Sequence, residues 1–293
     1  MNVAEAIQAQ ARLYDELYRV GYHQNIKFHH AAQLLKALER FDRQQYAARQ
    51  TRVSTVLDVG CSHGAAVGEL WKSGYRANGV DVSSEAIYMA RAARTQSPRC
   101  SYTPCFRTAS ATALPYHNMS FDALLSSDVL EHVPEAEAPR AVAEMARVAR
   151  VVILVKISNR VESGVAELNA LRNRTLPSSS SSTPPLRLPN NLHLSVHGPD
   201  YWLALFELHG WYLHHSLQAK PHDAHYTIDA GMSIPWQCCS YVLQPASAPL
   251  ARETAVAELK SMQSQIWYSR ATQCLHWGRR QCVAQERAPY NNG

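Results

Sequence analysis

The chain has 293 residues, 46% hydrophobic and 18% charged, with 29 Lys and Arg against 24 Asp and Glu for a formal charge of +5. This composition supports a sizeable core and excludes dominant disorder, and the length suits one α/β unit with extensions rather than two full catalytic domains. The basic residues are scattered, with no Lys/Arg run interleaved with aromatics that would track a phosphate backbone.

Cysteines 61, 100, 105, 238, 239, 274 and 282 form an odd set without the C-x-x-C pairs of structural zinc sites, so free thiols in a reducing compartment are expected. The N-terminal stretch carries Glu5, Asp15 and Glu16 and resembles neither a secretory signal nor a transit peptide. No run approaches 18 apolar residues. A cytoplasmic protein without a membrane span is the expectation.

In chain order, Ile7, Leu13, Tyr14, Leu17 and Tyr18 recur at helical spacing over residues 3 to 20, and Leu34, Leu35, Leu38 and Phe41 repeat the pattern over 26 to 46. From residue 53 short β-branched runs alternate with helical ones: VSTVLDVG, AAVGELWKSG, ANGVDVS and SEAIYMARAAR. That alternation predicts parallel βαβ units. Further strands are expected at FDALLSSD, VARVVILVKI, WYLHHSL and QCCSYVLQP, with helices over roughly 136 to 148 and at PDYWLALFELHG. Residues 175 to 191 combine five consecutive serines with four prolines and read as a flexible insertion. After residue 247 Leu259, Met262, Ile266 and Leu275 suggest a further helical segment. The expected organisation is an N-terminal helical cap (1–49), a core (50–246) and a C-terminal helical extension (247–293).

The most informative stretch is Val56-Leu57-Asp58-Val59-Gly60-Cys61-Ser62-His63-Gly64, an apolar strand entering a glycine-containing turn before a helix. Glycine permits unusual backbone angles and close ligand approach, and the helix N-terminus that follows favours an anionic group. The glycines fall at 60, 64 and 68, with Ser62 where a dinucleotide fingerprint wants glycine, which weighs against a nicotinamide cofactor. About twenty residues on, Gly79-Val80-Asp81-Val82-Ser83 ends a second strand in a carboxylate suited to ribose hydroxyls.

With these residues the chain resembles the class I, Rossmann-like S-adenosylmethionine-dependent methyltransferases: VLDVGCSHG is similar to their first motif, GVDVS to their acidic second-strand end, and ATALPYHNMSFDALLSSDVLEHVPE to their adenine-side and fourth-strand motifs. The resemblance covers about residues 50 to 246 and implies a seven-strand, mostly parallel sheet with S-adenosyl-L-methionine as cofactor. It places Asp58, Gly60 and Gly64 around the methionine moiety, Asp81 on the ribose, and Ser110 and Ala111 facing the adenine. Cys61, Val82 and Ser127 complete the implied cofactor set. Many family members have aspartate where Ser110 stands, and Ser62 is a second departure.

Methyl transfer rests on positioning and water exclusion, with a base of suitable pKa where the acceptor is a hydroxyl. Glu131 and His132, after the fourth strand, are candidates for that work or for shaping the turn. Asp128, Glu131 and His132 also resemble the acidic-x-x-Glu-His arrangement of ubiquinone-pathway O-methyltransferases, which is linked to a divalent metal; one position differs, and no metal site is assigned. His193 and His197, just before a helix opening with Pro199, are the other candidate bases, each with loop capping as its alternative role. The expected activity is methyl transfer to an O or N acceptor, a small molecule or sugar-like metabolite. The alternatives are a protein or RNA acceptor, or a catalytically inactive scaffold or assembly factor engaging partners through its extensions.

Overall fold

The computed structural model describes residues 3–22, 29–49, 52–93, 99–158, 165–174, 189–214, 240–245, 266–269 and 274–277. Two helices lead the chain, α1 (Val3–Arg19) and α2 (His29–Arg49). There follow β1 (Thr55–Val59), α3 (Ala65–Lys72), β2 (Arg76–Asp81), α4 (Ser84–Ala93), β3 (Phe106–Thr108), β4 (Phe121–Ser127), α5 (Ala138–Val148) and β5 (Ala149–Lys156). The described chain continues with α6 (Val165–Arg174), α7 (Pro199–Glu207), β6 (Trp211–Leu213), β7 (Ser240–Pro245), β8 (Ile266–Ser269) and β9 (Cys274–Trp277).

Seven strands form one sheet in the order β3-β2-β1-β4-β5-β7-β6. The pairs β3/β2, β2/β1, β1/β4 and β4/β5 are parallel, and β7 runs antiparallel to both β5 and β6. Strands covered on both faces read as nearly continuous apolar runs: every residue of β1, and all of β4 but its last, is buried. On one face Leu38 and Phe41 of α2, Val67 and Leu70 of α3 and Ile87 of α4 pack against Val56, Leu125 and Val152. On the other, Val142 and Met145 of α5 and Tyr201, Trp202, Leu205 and Phe206 of α7 pack against Leu57, Leu124 and Ile153. A third, smaller cluster joins Leu13, Tyr14, Leu17 and Tyr18 of α1 to Leu168 and Leu171 of α6 and to Leu192.

Both N-terminal helices and every expected core strand are present, and Trp202 and Phe206, one turn apart, are core residues. Strand β3 is only three residues long and has too little pattern to read locally; its pairing with β2 makes it a strand. Two expectations are corrected. Cys100 and Cys105 form a disulfide, with Cα atoms 5.4 Å apart across the turn before β3. Folding brings this pair together where spacing alone suggested free thiols; Cys61 is a free, buried thiol. In the C-terminal extension the described residues are the antiparallel pair β8/β9, not helix. Ile-Trp-Tyr-Ser and Cys-Leu-His-Trp are rich in the branched and aromatic residues that fit a pleated surface. The Ser/Pro-rich stretch, apart from residues 189–191, and Leu259 and Met262 lie outside the described residues. No helix among the described residues is long and apolar enough to cross a membrane.

Candidate active site

The strand order reverses between β1 and β4, and in open α/β sheets that reversal opens a crevice beyond the carboxyl ends of the strands. The turns after β1, β2 and β4 all arrive there. After β1, Gly60 (φ 77°), Ser62 (φ 51°) and Gly64 (φ 77°) are left-handed. At Gly60 a Cβ would fall 2.1 Å from Val129 Cγ2, so glycine is required by conformation and by the closeness of the β4 turn. Ser62 accepts the strain of a left-handed non-glycine residue and is held by its backbone N–H, which donates to Asp81 Oδ2 at 2.9 Å. The backbone N–H groups of Gly60 and Cys61 both donate to the Val80 carbonyl. Gly64 caps α3, whose N-terminus has no side-chain cap and no acidic residue in its first turn, leaving its positive end for an anion.

Asp81 closes β2 with its side chain buried; Oδ1 accepts from the Ser83 N–H at 2.9 Å. Burial pushes its pKa up to about 6 against the opposing pull of the backbone N–H groups of Ser83 and Ser62. Asp58, buried within β1, is pushed up to about 7, first by burial and then by Asp81. The Cys61 thiol packs against Gly79, where a Cβ would meet Sγ at 2.7 Å, so its side chain serves the turn. Ser110 and Ala111 lie beyond β3, beside Asp81, whose carbonyl accepts from the Ala109 N–H at 2.8 Å. The Ser110 hydroxyl is shared with Thr112 Oγ1 at 2.8 Å. Val82 packs at the edge of the cluster beneath α1.

Past β4, Asp128 is also left-handed (φ 55°). Its carboxylate accepts from Lys156 Nζ at 2.6 Å and Ser127 Oγ at 2.8 Å, and its N–H donates to the Lys156 carbonyl at 2.8 Å. Lys156, buried at the end of β5, is a site residue missed in the sequence; a lysine in the apolar run VARVVILVK was the available signal. Glu131 is fully buried: Oε1 accepts from the Ser158 N–H at 2.8 Å, while Oε2 has no hydrogen-bond partner among the described residues. Burial, reinforced by Asp128, pushes its pKa up to about 8, so at neutral pH it is mainly a carboxylic acid.

His132 is pushed down to about 3, first by burial and then by His193, and is neutral. Its Nδ1 is 3.0 Å from the Leu192 carbonyl, which can only accept; the proton therefore sits on Nδ1 and Nε2 keeps its lone pair. The Glu131 carbonyl accepts the N–H groups of Leu194 and Ser195, docking the 191–197 loop on this turn. His193 thereby stands with its ring centroid 4.7 Å from that of His132. Glu131, His132 and His193 each bring a donor atom within 4.8 Å of the others, all three residues buried. His197 goes elsewhere: it stacks on Tyr201 at 3.8 Å, with Nε2 3.3 Å from Glu135 Oε1. The site thus gathers three of the four candidate acid/base residues.

Helix α1 covers the crevice. Asp15 accepts from Ser83 Oγ (2.7 Å), Ser84 Oγ (2.9 Å) and the Glu85 N–H (3.0 Å) at the start of α4, and Gln10 Nε2 donates to the His132 carbonyl at 2.6 Å. These anchors were not legible in the sequence, since they join residues about 70 and 122 positions apart.

A family model described as a methyltransferase domain matches residues 57–151, the stretch from β1 into β5 that builds the glycine turn, Asp81 and the Glu131 turn. Over that stretch the chain is similar to a methyltransferase domain. It is 27% identical over 160 residues to the ubiquinone biosynthesis O-methyltransferases of Rhizobium johnstonii and Rhizobium leguminosarum bv. trifolii, an alignment covering 54% of this chain. The chain spans 63% and 62% of the length of those two relatives. Among solved structures, the magnesium protoporphyrin IX methyltransferase of Synechocystis PCC 6803 with bound SAH is 16% identical, with a TM-score of 0.49 over 80% of this chain and 93% of that one. The sugar N-methyltransferase of Streptoalloteichus sp ATCC 53650 is 23% identical, with a TM-score of 0.36 over 48% and 53%.

Proposed function

We propose that this chain transfers a methyl group from S-adenosylmethionine to a hydroxyl of a small-molecule acceptor. The observation that carries the reading is the buried Glu131, His132 and His193 cluster at the end of β4, across the strand-order reversal from the glycine turn and Asp81. The cluster lies under α1 and the 191–197 loop, a setting suited to a small group rather than a macromolecular surface.

The residues fit the cofactor. Asp81 retains acceptor capacity for ribose hydroxyls beyond its two backbone bonds. The uncapped N-terminus of α3 favours a carboxylate. Bound S-adenosylmethionine supplies an electrophilic methyl on a sulfonium. With the cofactor bound to supply the methyl, the acceptor oxygen would become strongly acidic as it is methylated, so that even the weakly basic His132 Nε2 would take its proton. Glu131, as an acid, directs its Oε2 hydrogen at the acceptor oxygen and holds it in line. Helix α1 excludes water from the centre. The same oxygen and nitrogen donors suit a divalent cation, which would acidify a hydroxyl at that point.

The test is thermal unfolding with S-adenosylmethionine, S-adenosylhomocysteine and NAD, followed by transfer of labelled methyl to a panel of phenols, alcohols and amines. A ligand at about 100 times its Kd adds roughly 2.7 kcal/mol to native stability. Stabilisation by both adenosyl ligands and not by NAD, with transfer to hydroxyl acceptors, is expected. No shift with either adenosyl ligand refutes the reading; transfer to amines alone refutes the hydroxyl assignment.

A further inference from the structure

Tyr14 of α1 lies outside residues 57–151 and was read in the sequence only as part of an apolar helix face. In the structure it is 8% exposed, and its hydroxyl is a buried polar atom without a hydrogen-bond partner among the described residues. A buried hydroxyl left unpaired is unfavourable, so its orientation is not explained by the fold it belongs to.

Its surroundings indicate what it faces. The His132 ring is edge-on at 6.0 Å between centroids, and Glu131 and Asp81 are the carboxyl groups whose fields reach its oxygen. Tyr18 and Tyr22, from the same end of the chain, complete the wall, Tyr22 at 6.0 Å from the Tyr14 ring. Tyr14 therefore touches the His132 ring and lies within electrostatic reach of Asp81. The Asp15 and Gln10 anchors hold it there from both sides of α1. Burial and the neighbouring tyrosines and carboxyl groups raise its pKa well above 10, keeping it a neutral hydroxyl with free lone pairs.

We infer that the Tyr14 hydroxyl oxygen faces the sulfonium centre of bound S-adenosylmethionine, accepting C–H contacts from the reacting methyl group, and so distinguishes the charged cofactor from its neutral product. The inference rests on the cofactor reading above. The ribose and carboxylate ends already have Asp81 and the α3 N-terminus; the unserved polar end is the one beside His132. A methyl on a positively charged sulfur is a better C–H donor than an ordinary methyl, and such contacts contribute about 0.5–1 kcal/mol each.

The experiment is calorimetric titration of the wild type and Tyr14→Phe with S-adenosylmethionine and with S-adenosylhomocysteine, beside melting curves of both ligand-free proteins. The substitution should lower the preference for S-adenosylmethionine over S-adenosylhomocysteine by about two- to fivefold. Affinity for S-adenosylhomocysteine should hold, and the ligand-free melting temperature should be unchanged or higher. An unchanged preference overturns the inference while leaving the cofactor reading intact. A variant that melts lower or does not fold also overturns it, because the hydroxyl then serves the fold. Wild type that binds neither ligand removes the cofactor reading and the inference with it.

Discussion

Replacement of Asp81 separates what this carboxylate does for the fold from what it does for a nucleoside. In the free protein its two oxygens accept the Ser62 and Ser83 N–H groups, each at 2.9 Å. Two ribose hydroxyls donating to the same carboxylate add two charge-assisted hydrogen bonds at about 1.5–3 kcal/mol each. Asp81→Ala should then weaken S-adenosylhomocysteine binding by about two to four orders of magnitude, read by calorimetric titration. The ligand-free change is opposed by a second effect: two backbone donors lose their acceptor, but a desolvated charge disappears. A melting curve without ligand measures that part. The pH dependence supplies an independent check on the wild type. The folded pKa of Asp81 is raised to about 6, so the carboxylate predominates in the free protein only above about pH 6. Ribose hydroxyls need that carboxylate, so binding strengthens as pH rises through about 6, is level above it, and weakens below it, by at most about tenfold per pH unit. An Asp81→Ala protein that melts like wild type and binds S-adenosylhomocysteine within twofold of it would refute the assignment of the ribose site.

Gly60→Ala places a Cβ 2.1 Å from Val129 Cγ2 in a left-handed conformation, and should cost about 2–4 kcal/mol in urea denaturation, from overpacking and backbone strain together. Asp15→Ala removes three acceptor contacts from the start of α4, so amide exchange in α1 should accelerate while the sheet strands stay protected. Glu131→Gln keeps an acceptor for the Ser158 N–H and puts an N–H donor where the Oε2 hydrogen was, so turnover should stay within about tenfold of wild type, whereas His132→Ala should lower it by about 10²-fold or more without changing the S-adenosylhomocysteine Kd; His197→Ala should act on stability through Tyr201. Chelation provides a further comparison: turnover retained in EDTA assigns proton removal to His132, and turnover lost in EDTA and restored by a divalent cation assigns the cluster to a metal. Asp58 is raised to about 7, so between the ordinary carboxylate range and pH 7 the folded state binds more protons than the unfolded state and loses stability as pH rises. Asp58→Asn should flatten the fall in ligand-free melting temperature between pH 5 and pH 8.

The parts of this protein legible in its sequence are those that one segment settles alone. Alternating apolar runs and helical periodicities specified the parallel core because strands buried on both faces must be apolar throughout. The turn Val59-Gly60-Cys61-Ser62-His63-Gly64 and the Asp81 strand end were legible because left-handed angles and a terminal carboxylate are local requirements. Spacing left β3 unread, since three residues carry no period, and it left the Cys100–Cys105 bond and the β8/β9 pair unanticipated.

Only tertiary structure decided which of the chemically capable side chains work together. His193 and His197 are four residues apart in one loop, yet the Glu131 carbonyl fixes the loop so that the first joins His132 and the second packs on Tyr201. Lys156 is aimed at Asp128 by the β4/β5 register, and Tyr14 reaches the crevice because Asp15 and Gln10 hold α1 across it. Backbone preference and hydrophobic period act over a few residues, whereas a buried polar site is assembled by hydrogen bonds spanning tens of residues. The sequence therefore determined the sheet and its glycine turn, and the packing of α1 and the 191–197 loop on that sheet determined which side chains gather beside it.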